Sequence, residues 1–186
     1  MRIRAATDGD VDGIARLHAD SWRRHYRGAY SDAFLDGDVV ADRLAVWRAR
    51  FEDRSGTVTL VADDGGAGAG EGAGGGGLVG FAHVMLDDDV EWGSLVDNLH
   101  VADGRRHGGV GTRLLRVAAG AVVDRAVTSK LYLWVLAQNL AAQRFYAARG
   151  GVHAGTVDVT AAGGVPGRLQ GTPRKHRIVW TDADIS

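Results

Sequence analysis

The chain has 186 residues, 45% of them apolar, and a formal net charge of −1 at pH 7. This length fits one domain with a hydrophobic core, and the balanced charge argues against general attraction to nucleic acid or to anionic membranes. The sequence has no cysteine, which excludes disulfides, thiolate nucleophiles and cysteine-ligated zinc.

The N-terminal part of the sequence predicts one strand and two helical regions. Apolar alternation at Ile3–Ala5 predicts the strand, and residues 7–10 carry a hydroxyl and a carboxylate spaced like a capping box at a helix start. Apolar residues at helical spacing continue this helix to about Trp22. A second helical region begins at Ser31 or Asp32. Its apolar stripe consists of Val40, Leu44, Trp47 and Phe51.

Residues 65–77 consist almost entirely of glycine and alanine. Such a segment buries little side-chain surface and loses much backbone entropy when it is ordered. It contains no Lys-Ser/Thr pair, so it is not a phosphate loop. Strand-like sequences flank it at Thr57–Ala62 and Leu78–Leu86. We therefore expect a flexible insertion at about residues 63–77 that enlarges a hairpin turn inside a single domain of residues 1–186.

The rest of the chain alternates between predicted strands and helices. A central strand at Leu95–Val101 leads through a glycine-rich turn into a helix of about residues 109–124. Asn139 is a good N-cap for a later helix, which Gly150 would end. The remaining predicted strands are Leu131–Val135, Val152–Val159 and His176–Trp180. The order β-α-α-β-β-β-α-β-α-β-β predicts an α/β fold with a sheet of mixed strand directions.

The turn between the central strand and the following helix has the features of an anion site. A strand, a glycine turn and a helix expose free backbone N–H groups at the helix N terminus. Gly109 and Gly111 permit close backbone approach, and Arg106 adds a guanidinium that can bind phosphate in a bidentate manner. From these features alone, a phosphorylated ligand and an ordinary βα turn both remain open. A dinucleotide site would need Gly-x-Gly-x-x-Gly after the first strand, but this turn comes late in the chain and lacks that spacing. A nucleotide-triphosphate loop would need Gly-Lys-Ser/Thr, and the turn contains no lysine.

The segment Arg106-x-x-Gly109-x-Gly111 resembles the acetyl-coenzyme A signature, Arg/Gln-x-x-Gly-x-Gly/Ala, of the GNAT superfamily of N-acetyltransferases. Residues 139–146, Asn-x-x-Ala-x-x-Phe-Tyr, resemble a later motif of that family, and residues 3–28 are also similar to it. The resemblance spans nearly the whole chain except the Gly/Ala insertion. It implies the acyl-CoA N-acyltransferase fold, in which helices flank a mixed, mainly antiparallel central sheet with two splayed strands.

The resemblance also implies a coenzyme site. The pantetheine arm would lie between the central strand and Leu131–Val135, bound by the backbone of Leu99, His100 and Val101. Asn139 would contact the ligand in addition to capping its helix. The diphosphate would rest on the turn formed by Arg106, His107, Gly108, Gly109, Val110, Gly111 and Thr112.

For catalysis, the resemblance implies that Tyr146 protonates the departing thiolate, and the alternative role of this residue is core packing with Phe145. The amine would attack the thioester directly, without a metal or a covalent enzyme intermediate. A base must remove the amine proton, and the candidates are Asp97 and Glu91, each of which also has a structural alternative. Strand alternation places Asp97 on the same face as Leu99 and directs the side chain of His100 to the opposite face, into packing.

We therefore expect an N-acetyltransferase that uses acetyl-CoA as cosubstrate and a primary amine of a small molecule or a protein as acceptor. A non-catalytic acyl-CoA sensor and a nucleotide-binding module are the alternatives. Aromatic side chains at Trp22, Tyr26 and Tyr30 would shape the acceptor pocket or belong to the core, which is the preferred role of Trp22. No histidine spacing indicates a metal site, and neither nucleic acid nor membrane is an expected partner. No signal core or apolar run of ~20 residues is visible, so we expect a cytoplasmic protein, and a homodimer is compatible with these features.

Overall fold

The computed structural model describes residues 1–65, 77–105 and 108–185. Within them, seven strands form one sheet in the order β1-β2-β3-β4-β5-β7-β6. The strands are β1 Arg2–Ala5, β2 Thr57–Asp63, β3 Leu78–Asp89, β4 Gly93–Val101, β5 Leu131–Leu136, β6 Val152–Asp158 and β7 Arg174–Trp180. The helices are α1 Val11–His25, α2 Asp32–Asp36, α3 Val39–Glu52, α4 Val110–Arg125 and α5 Leu140–Ala147.

Neighbouring strands of the sheet run antiparallel except β4 and β5, which run parallel. Helix α4 packs on β2, β3 and β4, whereas α1 packs on β3 and β4 and also contacts α3. Buried side chains form one cluster with α4 and α5 and another with α1 and α3. The predicted mixed, mainly antiparallel sheet flanked by helices is therefore confirmed.

The predicted helix starts depend on local side-chain contacts. Asp10 Oδ2 accepts hydrogen bonds from the Thr7 backbone N–H at 2.8 Å and from the Thr7 hydroxyl at 2.9 Å. The Arg4 guanidinium also donates to this carboxylate and is the main reason that the pKa of Asp10 falls to about 2. Asn139 Oδ1 accepts from the Ala142 N–H at 3.1 Å, as expected for an N-cap. The spacing of residues along the chain therefore predicts both of these helix starts correctly.

The largest differences from the prediction concern the second helical region and the end of β3. The second helical region is divided into α2 and α3, because the backbone at Gly37 leaves the helical region at φ −84° and ψ −131°. Strand β3 continues past Leu86 to Asp89, which pairs with Gly93 of β4. The added residues are acidic and show no apolar alternation, so only their backbone pairing with β4 identifies them as part of the strand.

The Gly/Ala-rich segment joins two paired strands, as predicted. β2 and β3 are antiparallel neighbours, and the Asp64 N–H donates to the Gly77 carbonyl at 3.0 Å. Residues 66–76 lie outside the described residues, so the flexibility of the insertion at residues 63–77 stays a prediction. None of the helices in the described part of the chain is long and apolar enough to cross a membrane.

Candidate active site

The central feature of the candidate site is an opening between two parallel strands. β4 and β5 pair only where Ser94–Val96 lie beside Leu131–Leu133. Beyond that point β4 continues beside β3, and β5 continues beside β7. A cavity of about 600 Å³ occupies this region. Main-chain groups on the facing edges of the two strands are therefore available to a ligand.

The cavity reaches both faces of the sheet. Leu99 and Val101 line it from the face that packs on α4, whereas Ser21 and Tyr26 line it from the α1 side. The predicted site residues that line it are Asp97, Leu99, His100, Val101, Gly109, Val110, Gly111, Thr112, Asn139 and Tyr146. Gly108 is described in the turn before α4 but does not line the cavity, and Arg106 and His107 lie outside the described residues.

A β-bulge in β4 changes the direction of Asp97. His83 of β3 pairs with Asn98 and the next residue, Val84, pairs with Val96, so Asp97 is an extra residue without a partner in β3. The predicted shared face of Asp97 and Leu99 is wrong, because the bulge interrupts the alternation of side chains. Leu99 packs with the α4 cluster, whereas Asp97 Oδ2 accepts from Arg50 of α3 at 2.6 Å.

The same bulge places His100 on the α1 side, together with Asp97. His100 Nδ1 lies 2.7 Å from the Ser21 hydroxyl, and its ring centroid lies 4.8 Å from that of His18. Burial lowers the pKa of His100 to about 3, so its imidazole is neutral at neutral pH. The predicted opposite faces of Asp97 and His100 are therefore wrong, and the side chain of His100 lines the cavity as well as packing.

The first turn of α4 closes one end of the cavity. Gly109 is the N-cap and has a left-handed backbone, with φ 75° and ψ 1°. A Cβ at Gly111 would lie 3.3 Å from Cζ of Phe145, so the small residue allows α4 and α5 to approach closely. The N terminus of this sixteen-residue helix carries free N–H groups and partial positive charge.

Arg149 is a cationic residue of this region that the sequence analysis missed. Its guanidinium donates to the Thr112 hydroxyl at 2.5 and 2.9 Å and lies 3.8 Å from the Phe145 ring centroid. Arg149 also lines the cavity. Its spacing of four residues from Phe145 is the one sequence signal that could have indicated this contact.

Tyr146 lines the cavity while its ring packs in the core. The residue is 9% exposed, and its ring makes edge contacts with Phe145 and Trp180 at 5.2 and 6.2 Å. Within the described residues, its hydroxyl has no hydrogen-bond partner. Burial raises the pKa of Tyr146 to about 12, so the hydroxyl is protonated at neutral pH and can donate.

The aromatic residues of the α1 side divide between core and cavity. Trp22 is buried, and its ring stacks on Tyr26 at 4.8 Å with an interplanar angle of 11°. Tyr26 lines the cavity, whereas Tyr30 is buried beside both rings. The preferred core role of Trp22 is confirmed. Glu91, the second candidate base, is exposed in the turn between β3 and β4 and does not line the cavity.

In the described ranges, no three His, Asp or Glu side chains are placed to hold a metal ion. The cavity is lined by strand-edge backbone groups, the carboxylate of Asp97, the phenols of Tyr26 and Tyr146 and the neutral imidazole of His100. Such groups are suited to proton transfer and to binding an extended, phosphorylated ligand.

Comparison with known proteins supplies independent information. The sequence model described as "Acetyltransferase (GNAT) family" matches residues 13–151. No curated protein matches the sequence.

Several solved structures have a similar architecture. The ribosomal-protein-alanine N-acetyltransferase of Brucella melitensis is 21% identical with a TM-score of 0.66, and the alignment covers 97% of this chain and 99% of that one. Arabidopsis thaliana NAA60 in complex with acetyl-CoA is 17% identical with a TM-score of 0.68, covering 96% and 97% of the two chains. The PaiA N-acetyltransferase of Thermoplasma acidophilum in complex with coenzyme A is 16% identical with a TM-score of 0.64, covering 96% and 98%. At these identities the likeness establishes a shared fold.

Proposed function

Because the chain belongs to the acetyltransferase (GNAT) family, we propose that it transfers an acetyl group from acetyl-CoA to a primary amine by direct attack. The observation that carries this proposal is the cavity that passes through the sheet where β4 and β5 separate. An extended chain with amide groups can satisfy the strand edges there, as a further strand would. Structures of the same fold hold acetyl-CoA in Arabidopsis thaliana NAA60 and coenzyme A in the Thermoplasma acidophilum enzyme.

In this proposal the backbone of Leu99, His100 and Val101 binds the pantetheine arm. The diphosphate lies at the N terminus of α4, on the turn that includes Gly109 and Gly111. Arg106 and His107 belong to the same proposed turn. Arg149 stands beside Thr112 and adds positive charge near that end of the cavity.

Two side chains transfer protons in the proposed reaction. Asp97 takes the proton from the attacking amine, since only the neutral amine has a free electron pair for the carbonyl carbon. As the new C–N bond forms and the C–S bond breaks, Tyr146 donates its hydroxyl proton to the departing thiolate. Arg50 and Asn98 both donate to Asp97 Oδ2, at 2.6 and 2.5 Å. Within the described residues Oδ1 makes no hydrogen bond, so it is available to the amine.

Two measurements test the proposal. Isothermal titration calorimetry should detect binding of coenzyme A, and a thiol-release assay with acetyl-CoA should show turnover with at least one of a panel of amines and peptides. A non-catalytic sensor would bind the coenzyme without releasing thiol above the rate without amine. A nucleotide-binding module would instead be stabilised by ATP or NAD, by about 2.7 kcal/mol at 100 times the dissociation constant. Failure to bind any coenzyme A would overturn the proposal.

A further inference from the structure

Strand β7 presents two cations next to Trp134 of β5, and Asp97, the proposed base, acts electrostatically on one of them. Lys175 and Arg177 are two residues apart, and they lie opposite Leu136 and Trp134 of β5. Lys175 Nζ and Arg177 Cζ each lie 4.6 Å from the centroid of the Trp134 ring. Trp134 lines the cavity, whereas Lys175 and Arg177 do not line it themselves but contact the ring of Trp134.

Neither cation forms a close ion pair within the described residues, although Asp89 acts electrostatically on Arg177. Arg177 lies between the rings of Trp92 and Trp134, at 4.3 and 4.6 Å from their centroids. Its Nε is buried and has no hydrogen-bond acceptor. Asp97 acts electrostatically on Lys175, but its Oδ2 already accepts from Arg50.

A buried donor without an acceptor is destabilising, and contact with aromatic rings offsets only part of that cost for a guanidinium. By contrast, Arg27, Arg43 and Arg168 all form ion pairs with aspartates. The Arg177 guanidinium contacts two indole rings and donates no hydrogen bond within the described residues, so its N–H groups can turn to an oxyanion, and a lysine two residues away can bind the same group.

We propose that the acceptor amine carries an oxyanion, a carboxylate or a phosphate, which Lys175 and Arg177 bind above Trp134. This inference rests on the proposed function and names the acceptor class of the same site. The two cations also disfavour acceptors that carry several positive charges, such as polyamines and aminoglycosides, through like-charge repulsion.

Matched pairs of amines test the inference. Thiol release from acetyl-CoA would be measured with amino acids and their amides, and with phosphoethanolamine and ethanolamine, together with spermidine and an aminoglycoside. The oxyanion-bearing member of a pair should have a kcat/KM at least about ten-fold higher, as expected for loss of a charge-assisted hydrogen bond. The two kinds of pair distinguish carboxylate from phosphate.

Substitutions of Lys175 and Arg177 test whether these two residues cause the preference for oxyanion-bearing amines. Lys175→Met and Arg177→Met keep an apolar stem against Trp134 and should each reduce the preference at least about ten-fold, mainly through KM. Arg174→Gln is the matched control, because Arg174 is an exposed cation of the same strand beside Asp158, and it should keep the preference. Circular dichroism and coenzyme A affinity verify the fold of each variant.

The outcomes separate this inference from the proposed function. If the neutral or polycationic amines were acetylated as well as the oxyanion-bearing ones, or better, this inference would be overturned. The thiol release observed would still support the proposed acetyltransferase activity. The inference would also be overturned if both Met variants kept the wild-type preference for oxyanion-bearing amines. It would likewise be overturned if protein that binds coenzyme A acetylated no oxyanion-bearing amine. Absence of coenzyme A binding would instead remove the proposed function, and this inference with it.

Discussion

Replacing Gly109 with alanine tests both the left-handed backbone and the proposed diphosphate site. A Cβ there would meet no atom within 4 Å, so the cost comes from the backbone conformation and not from collision. A left-handed residue other than glycine costs about 1–2 kcal/mol, and the loss of unfolded-state entropy returns about 0.4–1 kcal/mol. We expect Gly109→Ala to lower the free energy of unfolding by about 1 kcal/mol.

Helix α4 provides a matched control for the same change. Gly120 is exposed within α4, and a Cβ there also meets no atom within 4 Å. Because glycine is a poor helix former, Gly120→Ala should raise the free energy of unfolding by about 0.5–1 kcal/mol. For a chain of this size, about 1 kcal/mol corresponds to about 2–4 °C in Tm. The two alanine variants should therefore shift Tm in opposite directions.

Urea denaturation and calorimetric titration with coenzyme A measure the two effects. Gly109→Ala should weaken coenzyme affinity at least about ten-fold, since strain at the N-cap moves the amides of the turn, whereas Gly120→Ala should leave it unchanged. Gly109→Asn should recover part of the stability because asparagine tolerates the left-handed region. If Gly109→Ala kept both wild-type stability and wild-type affinity, neither the strained N-cap nor the diphosphate site would stand.

Three further predictions concern the proposed chemistry and the buried histidines. Tyr146→Phe should slow thiol release about 10²–10⁴-fold with nearly unchanged coenzyme affinity and stability, because only an unpartnered hydroxyl is lost. An unchanged rate would remove Tyr146 from the role of acid. Asp97→Asn should lower turnover at pH 7 and recover as pH rises, because more of the amine is then neutral; a pH–rate profile identical to that of the wild type would show that the base lies elsewhere. Burial lowers the pKa of His18 and brings that of His83 to about 4, so the unfolded chain binds more protons below pH 6.5. The free energy of unfolding should therefore fall between pH 6.5 and 4.5, by at most about 1.4 kcal/mol per pH unit for each histidine, as measured by urea denaturation. The exposed His153→Asn control should keep this slope, and a flat response would contradict the buried, neutral state.

Several features were predictable because their causes are local in the sequence. The capping contact between Thr7 and Asp10 spans three residues, and so does the contact between Asn139 and Ala142. Helix and strand periods depend on which residues alternate or recur, so each of the seven strands was identified before its position in the sheet was known. The two family motifs likewise predicted the mixed sheet and the place of the turn before α4.

Other features depended on contacts between distant stretches. The bulge at Asp97 exists only in the register of β4 against β3, so strand alternation predicted the wrong faces for Asp97 and His100. Arg50 reaches Asp97 from α3, and no spacing along the chain indicates that ion pair.

The sequence by itself determined the order of the elements, most of their ends and the family, since caps, turns and periodicity act between residues close in the chain. The tertiary structure decided which side chains surround the cavity and which cations near it form no close ion pair in the described chain. Trp92, Trp134 and Arg177 come from three separate segments, and only packing of the β3–β4 turn, β5 and β7 brings them together. The register of a strand and the packing of its side chains depend on two segments at once. A one-residue shift in register turns each side chain of the strand to the opposite face of the sheet.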